Sequence, residues 1–68
     1  MRLYVGCLYT TTWAKPGLKW TLLNVYDNIA ILQNRRGGTF ETDIKHLVFV
    51  ETEENVQHSK RIPKHRII

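Results

Sequence analysis

Hydrophobic and polar side chains alternate along two stretches near the beginning of the chain. In residues 3–9, alternate side chains share one face, and these are Leu3, Val5, Cys7 and Tyr9. In residues 19–26, one face carries Trp20, Leu22, Asn24 and Tyr26 and the other carries Thr21, Leu23 and Val25. A two-residue period is typical of a half-buried β-strand. We therefore predict a strand over each stretch, the second apolar on both faces near its middle.

Turn-forming residues separate these strands from one another and from two further strand-like runs. Pro16-Gly17 predicts a turn late in the first loop, because proline restricts φ and glycine tolerates positive φ. Asp27-Asn28 has the spacing of a tight hairpin and leads into a predicted strand over residues 29–34. The paired glycines Gly37-Gly38 predict the next hairpin turn, which leads into a strand over residues 39–43.

The segment after this fourth strand predicts a helical turn and a last strand. Residues 44–47 indicate one tight helical turn, and residues 48–50 indicate a short strand because they are rich in β-favouring side chains. An alternative interpretation places residues 43–57 in one helix, although two valines flanking a phenylalanine are poor helix formers. We expect Glu51 to end the folded body. Acidic and then basic residues predict a brief helix that begins near Thr52 and that Pro63 interrupts.

The order of these elements resembles that of the SH3-like small β-barrels, including the KOW and Tudor types. The resemblance spans residues 4–50 and is carried by the run 25–32, the turn Gly37-Gly38 and the pattern Ile44-x-x-Leu47-Val48-x-Val50. It implies an all-β fold, a small five-stranded SH3-like barrel with a short helical turn before the last strand. A basic C-terminal tail follows this barrel in the sequence. Such barrels host nucleic-acid binding, peptide binding and toxin or inhibitor activity, so the resemblance alone implies only that a site lies on the loops.

Composition limits the chain to one small domain. It has 68 residues, of which 43% are hydrophobic, and a chain of this length buries only about 60% of its unfolded surface. We assign residues 1–51 to the barrel and residues 52–68 to an acidic and then basic extension, either a short helix or disordered. No apolar run approaches the ~20 residues that cross a bilayer, and the first residues lack a clear cleavage signal. The single cysteine allows no internal disulfide, so we expect a cytoplasmic protein.

Positive charge is concentrated at the end of the chain. Up to Gln57 the cations and anions balance, so residues 58–68 carry the whole net charge of +4. The cations of this tail are Lys60, Arg61, Lys64 and Arg66. They would neutralise phosphates and release counterions, which makes binding salt-dependent. The alternative is a solvated terminus that keeps the protein in solution.

Two loops supply further candidate binding residues. Arg35-Arg36 would present guanidinium groups beside the backbone N–H groups of a hairpin turn, a suitable arrangement for phosphate or an acidic partner. The alternative is that these residues form an ordinary hairpin tip. Trp13, near Lys15 and Lys19, would stack a nucleic-acid base or anchor a protein interface, or would simply pin its loop.

The sequence contains no recognisable catalytic or metal-binding pattern. The three histidines and Cys7 lack the close pairing of structural zinc ligands, and Cys7 alternates in register with core positions. We therefore expect no enzymatic activity, no metal and no cofactor.

The leading hypothesis is a non-enzymatic binding module for nucleic acid or a nucleoprotein. The residues proposed to carry binding are Trp13, Lys15, Lys19, Arg35, Arg36, Lys60, Arg61, Lys64 and Arg66. A rival hypothesis is a modulator of a host protein, similar to the small inhibitors and accessory factors of phages and mobile elements. A third is a structural barrel that assembles with copies of itself.

Overall fold

The computed structural model describes residues 2–62 and contains five β-strands, a 3₁₀ helix and an α-helix. In chain order the strands are β1 (Leu8–Thr11), β2 (Trp20–Tyr26), β3 (Ile29–Gln33), β4 (Thr39–Asp43) and β5 (Leu47–Phe49). The 3₁₀ helix (Ile44–His46) joins β4 to β5, and α1 (Glu53–Arg61) follows β5. The prediction of a mainly β fold with a helical turn before the last strand is confirmed.

All five strands belong to one antiparallel sheet in the order β4-β3-β2-β1-β5. Although β4 and β5 follow one another along the chain, they form the two opposite edges of this sheet. Within residues 2–62 no ladder of backbone hydrogen bonds joins these edges, so the sheet is open. The five antiparallel strands are confirmed, whereas the predicted closure into a barrel is not observed. No helix in this part of the chain is both long and apolar enough to span a membrane.

The first strand begins at Leu8 rather than at Leu3, so that boundary was wrong. Gly6 has a φ of 96°, and the Cys7 amide donates a hydrogen bond to the Tyr4 carbonyl over 3.1 Å, which makes a turn where the prediction had a strand. Leu3 and Cys7 are nevertheless buried, at 4% and 0% exposure. The alternation therefore predicted burial correctly, but the glycine allows a left-handed backbone and ends the extended conformation.

A β-bulge in β2 changes which side chains face the core. The ladder with β3 shifts register between Leu22 and Asn24. An extra residue in one strand reverses the alternation of faces beyond it. Val25 consequently packs against the core, whereas Asn24 and Tyr26 are exposed. The prediction that Asn24 and Tyr26 share the face of Leu22 is therefore wrong.

The core is small and lies on one face of the sheet. The largest fully buried side chains are those of Leu22, Leu32 and Cys7. Tyr9 packs edge-on against Phe49 at a ring-centroid distance of 5.5 Å, and its hydroxyl accepts a hydrogen bond from the Tyr4 amide at 3.0 Å. Burial raises the pKa of the Cys7 thiol and that of the Tyr9 phenol. The prediction that Cys7 is a core side chain is confirmed.

The helix α1 begins where the charge pattern predicted. Thr52 is its N-cap, and the Thr52 hydroxyl accepts a hydrogen bond from the Asn55 amide at 3.2 Å. Acidic residues occupy its first turn and basic residues its last, which favours the helix dipole. The alternative of one helix over residues 43–57 is wrong, because β5 interrupts that span.

One buried asparagine attaches α1 to the sheet. Asn55 is 4% exposed and makes three hydrogen bonds to backbone groups of the sheet and its flank. Its Oδ1 accepts from the Leu8 amide at 2.8 Å, and its Nδ2 donates to the carbonyls of Leu8 at 2.9 Å and Val50 at 2.8 Å. The expectation that Glu51 ends the folded body is therefore wrong, since α1 supplies hydrogen bonds that complete it.

Candidate functional site: a basic groove

Three of the predicted binding residues line one groove between two loops. One wall belongs to the segment that leads into β2 and carries Lys19, and the other belongs to the turn between β3 and β4 and carries Arg35 and Arg36. The groove has a volume of about 580 Å³, and its described lining is Gly17, Leu18, Lys19, Trp20, Asn34, Arg35 and Arg36. We call it the basic groove. It joins two segments that are at least 14 positions apart in the sequence, Trp20 to Asn34, because β2 and β3 are paired neighbours.

The turn that presents the two arginines is organised by Asn34. The Asn34 Oδ1 accepts hydrogen bonds from the amides of Arg36 and Gly38, both at 2.9 Å. The Gly37 amide donates to the Asn34 carbonyl at 3.1 Å, and Gly37 has a φ of 90°, which favours glycine. An asparagine that bonds backbone groups ahead of it is a common way to fix a tight turn. The backbone that carries Arg35 and Arg36 is therefore held by several hydrogen bonds.

An aromatic cluster stands next to the basic groove. It consists of Trp13, Trp20 and Phe40, with ring-centroid distances of 5.7 Å between the tryptophans and 5.0 Å between Trp20 and Phe40. Trp20 is half-buried, packs against the core and lines the groove. Trp13 is 55% exposed and lies against Trp20 outside the groove lining.

Two hydrogen-bonded contacts hold the loop that carries Trp13. The Trp13 Nε1 donates to the Thr42 hydroxyl at 3.3 Å, which links this loop to the edge strand β4. The neighbouring Thr12 amide donates to the His46 carbonyl at 2.9 Å, and the Thr12 hydroxyl lies 3.0 Å from the His46 Nδ1. Trp13 therefore pins its loop and still offers more than half of its side chain to a partner.

The remaining predicted binding residues lie elsewhere or outside the described part of the chain. Lys15 lines a different groove, which Lys19 also borders and which contains Glu51. Arg61 lines a cleft beside α1, and Lys60 is exposed on the same helix. The other two tail cations, Lys64 and Arg66, lie outside the described residues. The structure thus joins Lys19 to the hairpin arginines and separates Lys15 from them.

The chemistry of the basic groove is that of an anion-binding site. Its described lining contains three cationic side chains and no carboxylate. Arginine binds phosphate or carboxylate oxygens through two parallel N–H donors, and lysine adds a compact charge. The cationic residues are exposed, so salt screens their attraction beyond about 8–10 Å. Among residues 2–62 no group of three or more His, Cys, Asp or Glu side chains is placed to hold a metal ion.

Asn34 and Trp20 are functional candidates that sequence reasoning did not select. The asparagine immediately before Arg35 and three residues before Gly37 was a usable signal, because this residue type fixes turns. Trp20 carried no such signal, since its place at the start of β2 looks like that of any inward-facing aromatic side chain.

A scan against protein-family models, a search of curated proteins and a search of solved structures returned no match to this chain.

Proposed function

We propose that this protein is a non-enzymatic module that binds nucleic acid through the basic groove. The observation that carries the proposal is the presence of Lys19, Arg35 and Arg36 around one groove whose wall includes Trp20. Cations next to aromatic rings suit nucleic acid, because its phosphates attract the charges and its bases stack on the rings.

The placement of charge supports a polyanionic ligand over a small anion. The net charge of +4 draws polyanions from a distance, and the exposed groove then concentrates three cations at the contact. Lys60, Arg61, Lys64 and Arg66 account for this net charge. The five-stranded order also supports a relationship to the SH3-like small barrels, which carry many kinds of binding site on their loops.

Fluorescence anisotropy with labelled single-stranded and double-stranded DNA and RNA, at two salt concentrations, tests the proposal. We expect dissociation constants of about 10⁻⁴–10⁻⁶ M near physiological salt, the range of sequence-independent binding. Three neutralised phosphates would give a slope of log affinity against log salt of about −2 to −3.

The variant Arg36→Ala should weaken binding about two- to fivefold, the size of one exposed ion pair. Lys45→Ala is the matched control, because Lys45 is an exposed cation on the 3₁₀ helix and does not line the groove. Equal losses in the two variants would mean that net charge alone drives binding. The absence of any salt-sensitive binding would refute the proposal, and a single protein retained after nuclease treatment would favour the protein-directed rival.

A further inference from the structure

The basic groove continues across the outer face of the sheet. A shallow extension of it keeps Lys19, Trp20 and Arg35 in its lining and adds Leu8, Thr21 and Gln33. Leu8 pairs with Thr21, and Thr21 pairs with Gln33. Residues directly opposite one another in an antiparallel sheet point to the same face. These three side chains therefore form a row across β1, β2 and β3 on the face opposite the core.

A second cleft begins where this row ends. It lies between α1 and the turn that precedes β1, has a volume of about 500 Å³ and shares Leu8 with the extension of the basic groove. His58 and Arg61, both in the last turn of α1, are the basic side chains of this cleft. A concave site with basic residues thus lies at each end of the row, and Leu8 lines both the second cleft and the extension of the basic groove.

We propose that the row and its two end sites form one track for single-stranded nucleic acid, an inference that rests on the function proposed above. The track runs from Arg35 in the basic groove, over Thr21, to Arg61 beside α1. Both ends are concave, and a flexible single strand enters such sites, whereas duplex DNA is stiff over about 150 base pairs.

The charges along the second cleft make the track testable residue by residue. Arg61 would bind a phosphate at the far end of the strand. Glu54 lines the same cleft at the first turn of α1, where a carboxylate repels phosphate. Removal of the Arg61 charge should therefore weaken binding, and removal of the Glu54 charge should strengthen it. A merely structural role for α1 does not predict these opposite effects.

Anisotropy titrations with two oligothymidylates, a short one of about 4 and a long one of about 16 nucleotides, test the track. These lengths bracket the range bound by one small β-barrel domain. Arg36→Ala should weaken both complexes about two- to fivefold. Arg61→Ala should weaken only the complex with the long strand, by a similar factor, and should make its salt slope less steep by about 0.7. Glu54→Gln should strengthen only the long complex. Lys45→Ala is the control, and circular dichroism verifies that every variant keeps α1.

Each result separates the track from the proposed function. If Arg36→Ala weakens binding but Arg61→Ala leaves the long complex unchanged, the track is wrong and the groove function stands. If a duplex of equal length binds as tightly as the single strand, the single-strand inference is wrong. If no oligonucleotide binds, the proposed function itself fails.

Discussion

Replacement of Asn55 by alanine should detach α1 from the sheet and destabilise the whole protein. The change removes a side chain that bonds Leu8 on β1 and Val50 after β5 at the same time. Asn55 is 4% exposed, so water does not readily replace the lost hydrogen bonds. The Leu8 amide and the Val50 carbonyl would then lack the partner that they have in the native structure.

The expected cost follows from the number of bonds lost. Three hydrogen bonds at about 0.5–1.5 kcal/mol each give roughly 1.5–4.5 kcal/mol. Alanine has a higher helix propensity than asparagine, which returns up to about 0.7 kcal/mol. A net loss of about 2–3 kcal/mol is large against a total of roughly 3–10 kcal/mol expected for 68 residues. It corresponds to a fall in Tm of roughly 10–20 °C.

Urea denaturation followed by circular dichroism and tryptophan fluorescence measures this free energy of unfolding. Gln57→Ala is the matched control, since Gln57 lies exposed on the same helix and receives the same substitution. We expect the urea midpoint of Asn55→Ala to fall well below that of the control. A difference of less than about 0.5 kcal/mol between the two variants, the scatter of ordinary surface substitutions, would refute the reasoning that Asn55 completes the sheet.

Two further predictions concern the core thiol and the loop tryptophan. Burial raises the pKa of the Cys7 thiol, so as pH rises the thiol ionises first in the unfolded chain. The stability that Cys7 contributes is therefore present below its ordinary pKa of 9.0 and is lost as pH rises above that value. Urea midpoints measured from pH 7 to 10 should therefore fall less steeply for Cys7→Ala than for the unaltered protein, and parallel curves would contradict this assignment. Trp13→Ala removes the contact to Thr42, so we expect the free energy of unfolding to fall by about 1–2 kcal/mol in the same assay and the first loop to be cleaved faster by proteases. Trp13→Phe should keep the ring packing against Phe40 and lose less stability. Equal losses in the two Trp13 variants would show that ring packing contributes nothing.

The local elements of this fold were largely predictable because short-range patterns specify them. The strand Thr39–Asp43 and the start of α1 at Thr52 agree with the sequence prediction to the residue or nearly so. Period-two alternation, paired glycines and an N-cap threonine act over a few neighbouring residues. Cys7 was assigned to the core by the same alternation, although the turn at Gly6 removed the strand around it.

The candidate site was only partly predictable. Arg35 and Arg36 stood out as a pair beside two glycines, and Lys19 was selected as a basic loop residue. Their meeting in one groove with Trp20 depends on the pairing of β2 with β3, which periodicity alone does not specify. Lys15 lines another groove, which Lys19 borders as well, and is absent from the lining that holds the two arginines.

The sequence by itself determined the number of strands, most of their bounds and the balance of charge, because each of these depends on side chains close together along the chain. Only the tertiary structure decided the bulge beyond Leu22, the open edges of the sheet and the attachment of α1 through Asn55. These features depend on strand register and on contacts between groups far apart in the chain. The Leu8 amide and the Asn55 side chain, for example, are 47 positions apart. An exposed helix with one asparagine looks unremarkable in sequence, since nothing local reveals which backbone groups the sheet leaves unpaired.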